Sequence, residues 1–399
     1  MDIRSNEPYW LIKNAFKKGY PSLQESILTE ILVIGGGITG ALITHQLLKE
    51  GKKVVLVDRR DVCNGSSAAS TAMLQYEIDV PLHKLIEQRG EEVAVSSYKS
   101  CEKAIFDLKK IVDETGSNSH FEFKKSIYFT SSRRDVKMLE EEFRIREKFG
   151  FSVQWLDKNK VKELGLNARV AIQSNSGAIM DPYKFTYDLL NYCANKGATI
   201  FDRTEIKNIK QKGDKLYAIT TEKLTIEANH IIHCTGYESV NTISKKIVKL
   251  KSTYALASEA FEAFPTTFKN NIFWDTASPY LYLRGTSDNR IIIGGGDERF
   301  KNAAARDALM NVKWSFLNKQ FQKNFPAINF RPDYVWAGTF GETEDGLPYI
   351  GRPKPEINEH YVLGFGGNGI TYSVMAMDAI MDSLNHKPHK FLVDYRFER

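Results

Sequence analysis

The sequence is poor in the features that mark several protein classes. Among 399 residues there are four cysteines, Cys63, Cys101, Cys193 and Cys234. None forms a CxxC pair and no Cys/His spacing suits zinc, which argues against disulfide scaffolds and structural zinc modules. The thiols are expected to be reduced, in a cytoplasmic protein, as small apolar groups. Cys101 fits that role within Ala94, Tyr98, Cys101, Ile105, Leu108 and Val112, the inner stripe of an amphipathic helix. Charge of one sign is also scarce, the formal net value being +6. The Lys-Lys pairs at Lys17, Lys124 and Lys245 and the scatter from Lys245 to Lys251 read as solvated surface; a nucleic-acid partner would want a denser basic stripe.

Long apolar runs are missing too. MDIRSNEPYW lacks the basic start and apolar core of a signal peptide. Ile31 to Leu48 carries no charged side chain, but its four glycines and strand-like first half argue for strand, turn and helix over a transmembrane segment. LIKNAFKKGY sets Leu11, Ile12, Ala15 and Phe16 beside Lys13, Lys17 and Lys18. It reads as an arm packed on its own protein, with contact to a membrane surface as the alternative. There are no repeats and no low-complexity segment.

What is present is an enzyme-like composition, 42% hydrophobic and 26% charged, with room for two or three domains. Glu30 to Gly35 reads as a buried strand, Thr39 to Glu50 as a helix, and KKVVLVD as a second strand ending at Asp58, together a βαβ unit. Helices follow at about Glu91–Glu114 and Asp135–Phe149, and another starts at Asp181-Pro182 with Asp as cap. EIKNIKQ, LYAITT and LTIEA suit a β-meander, HIIHC a further strand, and YLYLRGTSDNRIIIGGG a hairpin.

Gly35, Gly37 and Gly40 form G-x-G-x-x-G between strand and helix. The first permits the tight turn, the second lets backbone approach a pyrophosphate, and the third lets helix and strand pack closely. Asp58 stands where a ribose hydroxyl is met and where a 2′-phosphate would be repelled. The pattern points to dinucleotide binding. A second glycine turn, GFGGNGITYS, opens a helix near the other end of the chain.

These residues resemble the D-amino acid oxidase-like (DAO) family of FAD-dependent oxidoreductases, in pattern the glycine oxidase/γ-glutamylputrescine oxidase branch. The resemblance covers nearly the whole chain: the βαβ unit, the loop NGSSAASTAM, the segment after Asp181, HCTGY, WAGTFGETEDGLPYIGR and GFGGNGIT come in the family's order. It implies an α/β (α+β) fold, with a discontinuous, glutathione-reductase-like FAD-binding Rossmann domain (1–90, 176–248 and 336–399) and a mixed-sheet substrate domain (91–175 and 249–335). FAD would be non-covalent, since neither GSSAASTAM nor GGNGIT offers a histidine or cysteine; His83 is a remote alternative.

The implied cofactor residues fall in five groups. They are Gly35, Gly37, Ile38, Thr39 and Gly40 in the first turn; Asp58 and Arg59 after the second strand; Ser66, Ser67, Ser70, Thr71, Ala72 and Met73 in the serine loop; and Ile206, Thr235, Gly236 and Gly338 elsewhere. The second turn adds Gly366, Gly367, Asn368, Gly369, Ile370 and Thr371. There, backbone N–H groups and a helix N-terminus would meet the pyrimidine edge of the flavin, where negative charge develops on reduction.

One block departs from the family. Its penultimate segment commonly reads Gly-Leu-Arg-Pro, the arginine pairing with a substrate carboxylate; here Gly338-Thr339-Phe340-Gly341 puts Phe340 at that place. This favours an amine whose oxidised carbon carries no adjacent carboxylate. Arg284 either reaches the pocket to bind a more distant carboxylate or sits in a surface salt bridge. Tyr280 and Tyr282 share its strand face, as an aromatic wall or as interlayer packing. Glu342, Glu344 and Asp345 attract a cation or are loop acids. No general base stands out, and His233 reads as a packed side chain. The expected activity is oxidation of the C–N bond of a small amine or amino acid, with hydride passing to flavin and electrons to oxygen or another acceptor. Alternatives are a hydroxy-acid or polyol dehydrogenase feeding a quinone and a tRNA-modifying flavoprotein.

Overall fold

The computed structural model describes the chain except for Met1, Asn6, Phe16, Lys18, Thr242, Ser244, Lys245, Lys246 and Phe365. Lys245 of the basic scatter, and Phe16 and Lys18 of the amphipathic arm, therefore lie outside the described residues.

Two sheets organise the fold. The first has eight strands, and its centre is five parallel ones: Glu359–Leu363, Thr225–His233, Ile27–Ile34, Val54–Val57 and Thr199–Phe201. Val54–Val57 is buried along its whole length, which its unbroken apolar run dictates, as such strands are covered on both faces. Tyr349–Gly351 and the hairpin Ile206–Lys212/Lys215–Thr220 add antiparallel neighbours. The third meander strand and HIIHC are one strand, Thr225–His233. Its first half pairs with the hairpin and its whole length runs beside Ile27–Ile34. Helix Ile38–Lys49 packs on Gly369–Leu384 and on Pro182–Asn195. Asp181 caps the last of these, accepting from Lys184 N at 2.9 Å, with Pro182 at its first turn.

The second sheet has nine strands and is mixed: Asn271–Asp275 runs parallel to Glu122–Thr130, and the other pairings are antiparallel. Sheet membership does not follow the residue blocks read from the sequence at every point. Met73–Gln75 and Pro332–Glu342 pair in this second sheet. Helix Glu91–Thr115, from the other block, packs on Gly369–Leu384.

The N-terminal arm packs on its own protein. Ser5 N donates to Ala337 O and Thr339 N to Ile3 O, adding a short edge to Pro332–Glu342. Tyr9 and Trp10 are buried, and Trp10 Nε1 donates to Ser70 O at 2.6 Å. Among the described residues, no helix is long and apolar enough to cross a membrane.

Candidate functional site

The first glycine turn is fixed by contacts between backbones. Gly35 has φ +114°, and a Cβ there would lie 2.3 Å from Cys234 O. A Cβ on Gly40 would lie 1.8 Å from Gly35 O, so strand and helix approach as closely as backbone allows. Gly37 precedes the helix, and the first helical N–H, Ile38, donates to Ser67 Oγ at 2.9 Å. Thr39 Oγ1 and Ser373 Oγ, 2.8 Å apart, tie this helix to the one after the second turn.

Asp58 accepts from Gly36 N at 2.7 Å and Arg60 N at 2.8 Å. Burial pushes its carboxyl pKa up, and those two donors oppose the shift. Arg59 and Arg60 both reach Glu238, Arg60 at 2.8 Å, and Arg59 also approaches Glu205 at 3.7 Å. This end of the cleft is a polar cage whose carboxylate and guanidinium groups suit a ribose. Losing the carboxylate removes a charge-assisted contact and the brace on Gly36. We expect Asp58→Ala to weaken FAD binding by about 1.5–3 kcal/mol, roughly 10–100-fold, read as the dissociation constant in apoprotein reconstitution. Unchanged affinity would place the ribose elsewhere.

The serine loop forms a short helix, Ser66–Ala69, and leaves it through Ala72 at φ +47°. Ser66 Oγ and Thr235 Oγ1 are buried, line the cleft, and have no partner among the described residues. Gly236, at φ +53°, and Gly338 face it nearly unobstructed; a Cβ on Gly338 would meet nothing nearer than Ala69 Cβ at 3.5 Å. Two waiting hydroxyls, two open glycines and the Asp58 cage fit the ADP and ribityl parts of FAD.

The second turn is tied down from two sides. Gly366 N donates to Gly341 O at 2.7 Å, and Gly367 N donates to Asp79 Oδ2 at 2.8 Å. Asn368 turns away from the cleft: it is 4% exposed, and its amide donates to Gln75 O at 3.1 Å and Glu77 O at 2.9 Å. It braces the turn against the chain after Met73–Gln75. Thr371 is likewise buried, its hydroxyl donating to Asn368 O at 2.9 Å. Gly369 and Ile370, at the helix start, do line the cleft.

One continuous cleft thus brings together the residues read from the sequence, apart from Gly40, Ala72, Asn368 and Thr371, which stand behind its wall. Tyr280, Tyr282 and Phe340 line its far end. Arg284 does not. It is 2% exposed, and its Nη1 lies 2.8 Å from the carbonyl oxygens of Thr71, Ala72 and Met180. Burial lowers its pKa to about 10. It is neither a pocket residue nor a surface salt bridge, because its guanidinium is turned to the backbone carbonyls of the serine loop and Met180. Glu342 pairs with Lys251 at 2.6 Å and Asp345 with Arg399 at 2.9 Å. His233 is buried against Glu359 and Tyr361, and His83 pairs with Glu142 at 2.7 Å.

Sequence reasoning missed Asp79, Thr253 and Asp297, which line the far end. Asp79 lies in a loop with no motif. Asp297 follows three glycines in IIIGGGDERF, just past the hairpin, where no motif marks it. Tyr280 donates to Asp79 Oδ1 at 2.9 Å, and Tyr282 and Thr253 hydroxyls are 3.1 Å apart.

A family model described as FAD dependent oxidoreductase (DAO) matches residues 30–380. The chain is 26% identical over 393 residues to a putative Rieske 2Fe-2S iron-sulfur protein, YhfW, of Bacillus subtilis (strain 168), covering 96% of this chain and 74% of that one. It is 22% identical to the gamma-glutamylputrescine oxidoreductase of Escherichia coli (strain K12), over 93% of this chain and 87% of that one. The structure of glycine oxidase from Geobacillus kaustophilus superposes with a TM-score of 0.78 at 20% identity, covering 93% of this chain and 99% of that one. Among the described residues, no group of histidine, cysteine and acidic side chains could hold a metal.

Proposed function

Because the chain belongs to the DAO family of FAD dependent oxidoreductases, we propose that it oxidises the C–N bond of a small amine that carries no carboxylate on the oxidised carbon. FAD, which the two glycine turns, the serine loop and the Asp58 cage would hold, would supply the two-electron acceptor for this oxidation; the imine product would be hydrolysed by water and the electrons handed on to oxygen or another acceptor. The observation that carries the substrate class is the far end of the cleft. Phe340, which the resemblance sets at the carboxylate-reading place, lines it, and Arg284 is committed to three backbone carbonyls behind the wall.

The chain's own residues do the positioning. The two glycine turns open helices tied to each other through Thr39 and Ser373, which sets the two halves of the cofactor site at a fixed separation. Tyr280, Tyr282 and Phe340 give an apolar wall that keeps water from the reacting carbon. Tyr9 and Trp10 anchor the arm in the protein, while Ile12 of its apolar set is 44% exposed, so sedimentation with liposomes separates this reading from the membrane-linked alternative. The four free, buried thiols support a reducing, cytoplasmic setting.

The test is an anaerobic panel. Small amines are expected to bleach the flavin band, and acid denaturation is expected to release free FAD. Bleaching only by hydroxy acids or polyols would replace C–N by C–O oxidation, and flavin retained on denatured protein would mean a covalent link.

A further inference from the structure

Building on the C–N reading, we propose that Asp297 receives the positive end of the substrate, making it the specificity-determining residue, and that the substrate binds as an alkyl- or arylalkylammonium ion that gives an N–H proton to this carboxylate before its carbon is oxidised.

The placement begins with glycines. Asp297 ends a run in the strand Ile291–Arg299 that starts Gly294-Gly295-Gly296. A Cβ on Gly294 would lie 2.1 Å from the Tyr282 ring, and one on Gly295 would lie 2.7 Å from Tyr280 O. The missing side chains let the tyrosine strand settle onto this one. Asp297 then emerges beside both rings, in the part of the cleft shared by Phe340 and Thr253.

Its carboxylate is unusual in what it lacks. Oδ1 is shut off from solvent and has no hydrogen-bond partner among the described residues. A buried oxygen of an ionised carboxyl without a partner is costly, and an ammonium N–H repays that cost. Burial raises the pKa to about 6 and the Thr253 hydroxyl opposes the rise, so the group is largely ionised at neutral pH.

The nearby charges leave the role to Asp297. Asp79, the other acid here, is committed to Gly367 N and the Tyr280 hydroxyl. Among the described lining residues, the arginines are Arg59 and Arg60, both held by Glu238 at the ribose end. Lys251 pairs with Glu342. A carboxylate-bearing substrate would meet two acids and no guanidinium at the far end. An ammonium would meet a carboxylate and aromatic faces, both of which attract it.

Benzylamine and benzoate, matched in size and opposite in charge, make the test. Each is titrated anaerobically into the FAD-loaded protein, with perturbation or bleaching of the flavin band as the sign of occupancy. Benzylamine is expected to saturate at a concentration at least about tenfold below benzoate. Asp297→Asn, similar in size but uncharged, is expected to weaken benzylamine by roughly tenfold or more at unchanged FAD content. Benzoate binding as tightly as benzylamine, saturation by neither probe, or a D297N protein within twofold of the parent would each overturn the assignment. If D297N does not retain FAD, the comparison of the two probes on the parent decides alone. Amino acids bleaching the flavin while benzylamine does not bind would leave C–N oxidation standing and remove only the cation site. Benzylamine binding to a protein that no amine reduces would do the reverse.

Discussion

The Gly40→Ala protein is expected to purify without FAD and to unfold well below the parent's melting temperature. The added Cβ would lie 1.8 Å from Gly35 O and 3.6 Å from Cys234 Cβ. The first clash is with backbone, so no rotamer change relieves it. Either the helix Ile38–Lys49 moves off the strand Ile27–Ile34, or the turn between them opens. Both routes spoil the cradle that holds the pyrophosphate, and the first also loosens a helix buried among Gly369–Leu384 and Pro182–Asn195. Overpacking a well-filled core typically costs about 1–3 kcal/mol and occasionally more; a Cβ driven against a backbone oxygen belongs at the upper end. At roughly 3 kcal/mol, FAD affinity falls by more than about 100-fold, enough to lose the cofactor on a column. Flavin-to-protein absorbance and thermal melts with and without added FAD measure it. A fully yellow protein with the parent's melting temperature would mean that the helix and strand are not in the contact seen here.

Most of the cleft lining was legible because its parts are local. A G-x-G-x-x-G between a buried strand and a helix, with an acid at the end of the next strand, allows few arrangements. The second turn and the serine loop were found through the order of their blocks. The reading faltered where position depends on how two sheets meet. Alternation along YLYLRG put Tyr280, Tyr282 and Arg284 on one face, but the strand begins only at Tyr282 and the three side chains do not share one environment. The tyrosines line the cleft, while Arg284 passes beneath the serine loop. Asn368 looked like a cofactor contact because it sits inside the glycine turn; its amide was instead drawn to carbonyls 291 and 293 residues away in sequence. Asp79 and Asp297 carried no signal at all. One lies in a loop and the other at a strand end, and only the folded chain gives their side chains a shared cavity. Thr225–His233 read as two strands because Glu227, Asn229 and His230 interrupt its apolar pattern, although the hydrogen-bonded ladder continues through them.

Arg284→Met distinguishes a structural clamp from a substrate-reading residue. If Arg284 read a substrate carboxylate, its loss would raise KM for carboxylate-bearing substrates and leave the melting temperature unchanged. The structure leads to the opposite expectation. Nη1 serves Thr71 O, Ala72 O and Met180 O, each at 2.8 Å, and Nε serves Gly285 O at 2.9 Å. The guanidinium also lies 5.4 Å from the Trp10 ring, which joins the N-terminal arm to the clamp. Methionine fills much of the volume but leaves those carbonyls without a donor, at about 1–3 kcal/mol for each one that stays buried. Part of this is returned, because a buried charge and its desolvation penalty go with the arginine. A net loss of about 3 kcal/mol of stability is expected. The serine loop, no longer held through Thr71 and Ala72, should also release FAD more readily. Arg284→Lys should recover part of the stability, since an ammonium still reaches some of the carbonyls but cannot also span to Gly285. Denaturant melts, flavin retention and KM for one amine with and without a carboxylate separate the two roles. A drop in stability with the two substrates equally affected supports the clamp. A parent-like melt with a selective rise in KM for the carboxylate would return Arg284 to the pocket and remove the main argument for a carboxylate-free substrate.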